Sequence, residues 1–195
     1  MDLGVLGGVA LVDWLIIIYF LGFFVLGFAQ GTIRRLIGIA SILFSFLLAA
    51  NLADPLGSFL KANWTTQNAE YSYMVGFLTV FVAASVAFAL VIQGFYKPQP
   101  LFEKARFADE LIGGVLGVIQ AGIILGALVV ILDSYYRLNA PPRDTELQFL
   151  RDLWTFLDGS KIVDFFRATL IPAFFAIFGF LVPDKIEAMY PRAGS

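Results

Sequence analysis

Few residues in this chain could do chemistry, and the charged doublets among them stand beside long apolar runs. Asp109-Glu110 sits in "RFADELIGG" and Arg34-Arg35 in "AQGTIRRLIG". Adjacent carboxylates suit acid–base work only with a nucleophile or a metal beside them. The 195-residue chain has no histidine and no cysteine. That removes a Ser-His-Asp triad, cysteine nucleophiles, thiol redox centres, disulfides and the usual zinc sites. It also leaves no side chain with an unperturbed pKa near neutrality. No catalytic, cofactor-binding or metal-binding residue is expected, and no enzyme. A simpler role for the acids is to complement the positive end of a helix that starts there, worth about 0.3–1 kcal/mol. The net charge of −2 offers no basic field to nucleic acid.

The elements that must position these doublets are apolar. Hydrophobic residues make up 59% of the chain and charged residues only 14%, against about 25% in soluble domains. Residues 14–33, 36–53, 71–96 and 111–132 carry no Asp, Glu, Lys or Arg. About 20 apolar residues cross a hydrocarbon core of roughly 30 Å. The pattern predicts an all-α integral membrane protein. Residues 1–133 form a module of four transmembrane helices, at about 14–29, 36–53, 72–91 and 111–132. Residues 1–12 begin with an acid and read as a lead-in to the first span, not as a signal peptide. Gly31-Thr32 and the two arginines form a polar corner. Asp54-Pro55 is expected to end the second span. "LGSFLKANWTTQNAEY" and "YKPQPLFEKARFADE" read as polar loops.

The tail, residues 134–195, reads differently. Thr145 with Gln148 matches a capping box, and Gly159 suits a C-terminal cap. Leu147, Leu150, Leu153, Trp154 and Leu157 fall on one stripe of an amphipathic helix, expected to lie in the membrane interface. Residues 168–183 are charge-free for only 16 positions, Arg167 precedes them, and Pro172 should kink them. An interfacial or re-entrant segment over 160–183 fits better than a fifth span.

Lysine and arginine in short loops set orientation. Arg34, Arg35, Lys97, Lys104 and Arg106 fall on one side, against Lys61 alone on the other. The first corner is therefore expected at the cytoplasmic face, with both termini and the tail outside. Gly27/Gly31, Gly113/Gly117 and Gly122/Gly126 recur at four-residue spacing, which lets helix backbones approach closely. Packing within one bundle is the first reading, a homo-oligomer face the second. Gln120 lies mid-span and should hydrogen-bond inside the bundle.

"GFAQGTIRRLIGIASILFSFLLA" and "FADELIGGVLGVIQAGIILGALVVILD", with Asp13 ahead of the first span, resemble the colicin V production (CvpA-type) membrane protein family over roughly residues 12–180. The resemblance implies a multi-pass inner-membrane protein without established enzymatic activity, linked to toxin production or secretion and to envelope homeostasis. Its partners would be the lipid bilayer and an unidentified membrane or envelope protein. A small oligomeric channel or transport component is the alternative. Where that family has Arg-Gly, Arg-Glu and Asp-Arg, this chain has Gln30-Gly31, Arg34-Arg35 and Asp109-Glu110. Two signs have exchanged, so an ion pair between Arg35 and Glu110 is expected to join spans two and four.

Overall fold

The computed structural model describes residues 11–64, 69–95, 106–137, 146–183, 186 and 190. The four long apolar runs form α1 (Leu11–Gln30), α2 (Thr32–Asn63), α3 (Ala69–Phe95) and α4 (Arg106–Tyr136). Two tail helices follow, α5 (Gln148–Asp158) and α6 (Lys161–Leu181). No strand occurs among the described residues. The protein is an all-α membrane protein. Residues 96–105 and 138–145 lie outside the described residues, and with them most of the second polar loop and Thr145 of the expected capping box.

The first corner is tighter than a four-residue turn. Only Gly31 is non-helical between α1 and α2, and its φ of 74° lies in the left-handed region that glycine adopts without steric penalty. A side chain there would also stand 2.6 Å from Asp109 Oδ2. Arg34 and Arg35 therefore belong to the first turn of α2, not to a loop.

The second span does not stop at Asp54-Pro55. Pro55 lies inside α2, which continues to Asn63. Proline removes one backbone hydrogen bond, but tertiary packing replaces what is lost. Small residues bring α3 close on both sides of the proline. A Cβ on Gly57 would stand 2.8 Å from Tyr73 Cα, and one on Gly76 3.0 Å from Gly57 N. Most of the expected loop after residue 55 is therefore helix.

α1 and α4 form the other close pair. An added Cβ on Gly27 would overlap Gly113 O, and one on Gly117 would overlap Phe23 O. A Cβ on Gly113 would stand 2.8 Å from the Gly31 carbonyl carbon. These glycines are occupied within one chain, which removes them as a dimer face. Gly122 and Gly126 differ, because a Cβ on either meets nothing closer than the 3.7 Å of an aromatic ring.

Among the described residues five helices, α6 included, are long and apolar enough to cross a membrane. The α6 contacts qualify that length. At its start Ser160 and Ile162 bond Asp13, and at its end the Leu181 carbonyl accepts from Asn51 Nδ2. Asp13 is 18 residues before Gly31 and Asn51 is 20 after it. At about 1.5 Å per residue both lie roughly 27–30 Å from the corner. Both ends of α6 thus sit at the end of the bundle remote from the corner. Pro172 follows an irregular turn within α6. A π-turn over Phe166–Leu170 precedes the proline, with Ile171 N bonding Phe166 O, and the wider turn absorbs the missing donor.

The stripe of α5 faces protein. Leu150 and Leu157 are buried, and Leu153 and Trp154 pack on the core. Leu147 departs from the stripe: it is exposed at the N-cap, its N–H donating to Tyr71 Oη. Gly159 closes the helix with an ordinary negative φ of −78°.

The two kinds of glycine make opposite predictions. Gly117→Val should overpack the α1–α4 seam and cost about 1–3 kcal/mol. Gly22→Val, where a Cβ meets nothing within 4 Å, should leave the thermal midpoint in detergent nearly unchanged. Equal melting of the two variants would count against the seam.

Candidate functional site

Two clusters of polar side chains are built into the bundle. The first lies near the corner, where α1, α2 and α4 meet. Thr32 Oγ1 donates to the Asp109 carbonyl at 3.0 Å, tying the start of α2 to the start of α4. Asp109 is buried against Gly31 and so does more than complement a helix end. Glu110 points elsewhere and accepts from Arg106 Nε at 2.9 Å, one turn earlier on its own helix.

The expected Arg35–Glu110 pair therefore does not form. Arg35 Nη1 instead donates to Gln120 Oε1 at 2.8 Å. Both facts follow from helix periodicity. Residues three and four apart share a face, so Arg106 reaches Glu110 locally at little entropic cost. Glu110 and Gln120 lie ten positions apart on α4, and the side of α4 that faces α2 at the depth of Arg35 carries Gln120. The Arg35 guanidinium also lies 5.7 Å from the centre of the Phe23 ring. Arg34 is half-buried beside it. Of the residues singled out from the sequence, Gly27, Gly31, Asp109, Gly113 and Gly117 build the α1–α4 contact, and Arg35 meets Gln120 above it. Arg34 and Glu110 are not drawn into that contact.

The second cluster lies at the remote end and has no counterpart in the sequence reading. Asp133 on α4 is fully buried. Its carboxylate accepts Arg167 Nε at 2.8 Å and Nη2 at 2.7 Å, Trp154 Nε1 at 2.9 Å and Tyr190 Oη at 2.7 Å. Arg167 Nη1 donates in turn to Asp158 at 2.6 Å. One carboxylate thus gathers α5, α6 and the chain beyond α6 onto α4. The fork of a guanidinium matches a carboxylate in two parallel bonds, the strongest form of such a pair. Burial and the Asp133 charge push the Tyr190 phenol up from its ordinary value, so it stays a donor.

Asp13 makes a second tie. Its Oδ1 accepts Ser160 Oγ at 2.5 Å and Ile162 N at 3.2 Å, while Ser160 Oγ accepts Val163 N and caps α6. Asp13 and Asp133 each mark the edge of a charge-free run. That edge position was the available signal. Their partners lie 147 and 34 residues away, too far for spacing to reveal.

Between the two clusters runs a cavity of about 420 Å³. α4 floors it with Gly122 and Gly126, and Phe20, Phe46, Phe166 and Phe174 wall it. Its lining is almost wholly apolar. Among the described residues no group of three or more acids could hold a metal ion.

Long apolar helices packed backbone to backbone, with ionisable groups turned inward onto one another, define a multi-pass membrane protein. The family model described as "Colicin V production protein" matches residues 12–171. The chain belongs to the colicin V production protein family. No curated protein and no solved structure matches it.

Removing one partner of a buried pair leaves the other uncompensated. Asp133→Ala should lower stability by about 3–5 kcal/mol, releasing α5 and α6 to proteolysis. Asp133→Leu combined with Arg167→Met should recover part of the loss in a thermal melt, since no lone charge remains.

Proposed function

We propose that this chain is a non-enzymatic inner-membrane protein that supports toxin production or secretion, or envelope homeostasis, by binding partners. The observation that supports this most is the use made of its ionisable side chains. Asp13, Asp133 and Arg167 bond to Ser160, Trp154, Tyr190, Asp158 and one another, and none lines the cavity. Groups committed to holding helices together are not available for turnover. The exposed faces of α5 and α6, with Phe149, Phe156 and Phe180 outward, offer surface to lipid or to another membrane protein.

In this reading α1 to α4 cross the membrane and α6 re-enters without crossing. The arginine corner lies in the cytoplasm, and both termini lie outside. The native chain has no cysteine, so single-cysteine variants report cleanly. Asp152→Cys and Ser195→Cys should both react with a membrane-impermeant maleimide applied to spheroplasts. Labelling at 152 but not at 195 before lysis would make α6 a fifth span.

The alternative, a small oligomeric channel or transport component, draws on the cavity and on the charge of Arg35 inside the bundle. Purified protein in liposomes should carry no ion or small-solute flux above empty vesicles, while a pull-down from native membranes should retain a stoichiometric partner. Flux that scales with protein content, in the absence of such a partner, would reverse the choice.

A further inference from the structure

Arg35 is an unusual ion in this bundle. Its side chain is buried, at 5% exposure, on a membrane-spanning helix. Among the described residues it forms no ion pair with a carboxylate. Its hydrogen-bond partner, Gln120, is neutral. Its Nε is buried without a hydrogen-bond partner. The neighbouring residue in sequence, Arg34, has the same sign.

The usual relief is absent as well. Arg35 lies four residues past the corner, about 6 Å along the helix axis, so its long side chain could snorkel out to water. It turns inward instead. The group that it meets is supported in turn. The Gln120 amide rests on Gly38, where a Cβ would stand 2.9 Å from Nε2. Gln120 offers its oxygen to Arg35, which leaves its amide N–H groups as donors. The guanidinium Nε–H and the Gln120 amide are thus donors near one positive charge, held in place by Gly38 and by the Phe23 ring. Donors around a desolvated cation are the chemistry that recognises an oxyanion.

We propose that Arg35 and Gln120 bind an oxyanion, a carboxylate or phosphate group, within the α1–α2–α4 bundle near its corner. The group is carried either by a phospholipid or by a small free anion. The site stands independently of the partner-binding reading above, since it rests on charge and burial alone.

The test uses the full-length protein in a neutral maltoside detergent, with thermal unfolding followed by tryptophan fluorescence. A ligand that binds only the folded state raises the midpoint. Sodium phosphate is compared with sodium chloride at equal ionic strength, and micelles doped with phosphatidylglycerol with micelles doped with phosphatidylcholine. The midpoint should rise with phosphate or with phosphatidylglycerol, and with neither chloride nor phosphatidylcholine. A rise with phosphate assigns a free anion; a rise with phosphatidylglycerol alone assigns a lipid headgroup. Arg35→Gln should abolish the rise and, without additive, melt at or above the wild type, because an uncompensated charge has gone. Gln120→Ala keeps the charge and should move the half-maximal concentration up about tenfold, the loss of one hydrogen bond to an ion. If Arg35→Gln does not fold, the Gln120→Ala titration decides alone. The proposal is overturned by a wild type indifferent to both anionic additives, by an equal rise in Arg35→Gln, or by an unchanged half-point in Gln120→Ala.

Discussion

The close passage of α1 against α4 sets the rest of the bundle. In lipid, apolar surface gives helices little reason to associate, so contact depends on packing and hydrogen bonds. Gly27, Gly113 and Gly117 let two backbones touch where any Cβ would intrude. That contact places Gly31 on Asp109 and brings Thr32 to the start of α4. It also fixes the depth at which α4 meets α2, and so decides that Arg35 faces Gln120. At the other end the same alignment brings the start of α1 and the end of α4 to one level, where the tail docks.

The tail is held by polar contacts rather than by apolar area alone. A carboxylate with no exposure is costly unless every lone pair finds a donor. Asp133 finds four, from Arg167, Trp154 and Tyr190. These donors come from three separate tail residues, so satisfying the acid and ordering the tail are one event. Asp13 does the same for the start of α6 through Ser160. Length and apolarity make α6 a possible span, but its partners hold both of its ends at the remote level. Geometry and composition point in different directions there, and geometry states where the ends are.

The spans were legible because a bilayer imposes a long, simple signal. Charge-free runs of 18 to 26 residues marked four helices. Their ends were less legible. Pro55 looked like a terminator, yet Gly57 and Gly76 pack α2 and α3 through it. The resemblance to the colicin V production family was carried by residues that the sequence displays in order, and the family match covers the same region. The polar clusters were barely legible. Sign exchange at Arg35 and Glu110 suggested a bridge, but a charge pattern carries no information about which face of α4 meets α2. Glu110 had a nearer base in Arg106, and Arg35 a nearer amide in Gln120.

By itself the sequence determined the solvent, the helices and the chemistry that is missing. Hydrocarbon demands runs of apolar residues and internally satisfied backbones, and that demand is written in composition and period. The absence of histidine and cysteine was equally plain. Only the tertiary structure decided which ions meet. Asp133 and Arg167 are 34 positions apart, and Asp13 and Ser160 are 147 apart. Pairing at such separations depends on helix rotation and depth, and those are set by backbone contact at a few glycines. The same rotation left Arg35 inside the bundle with an amide in place of an acid.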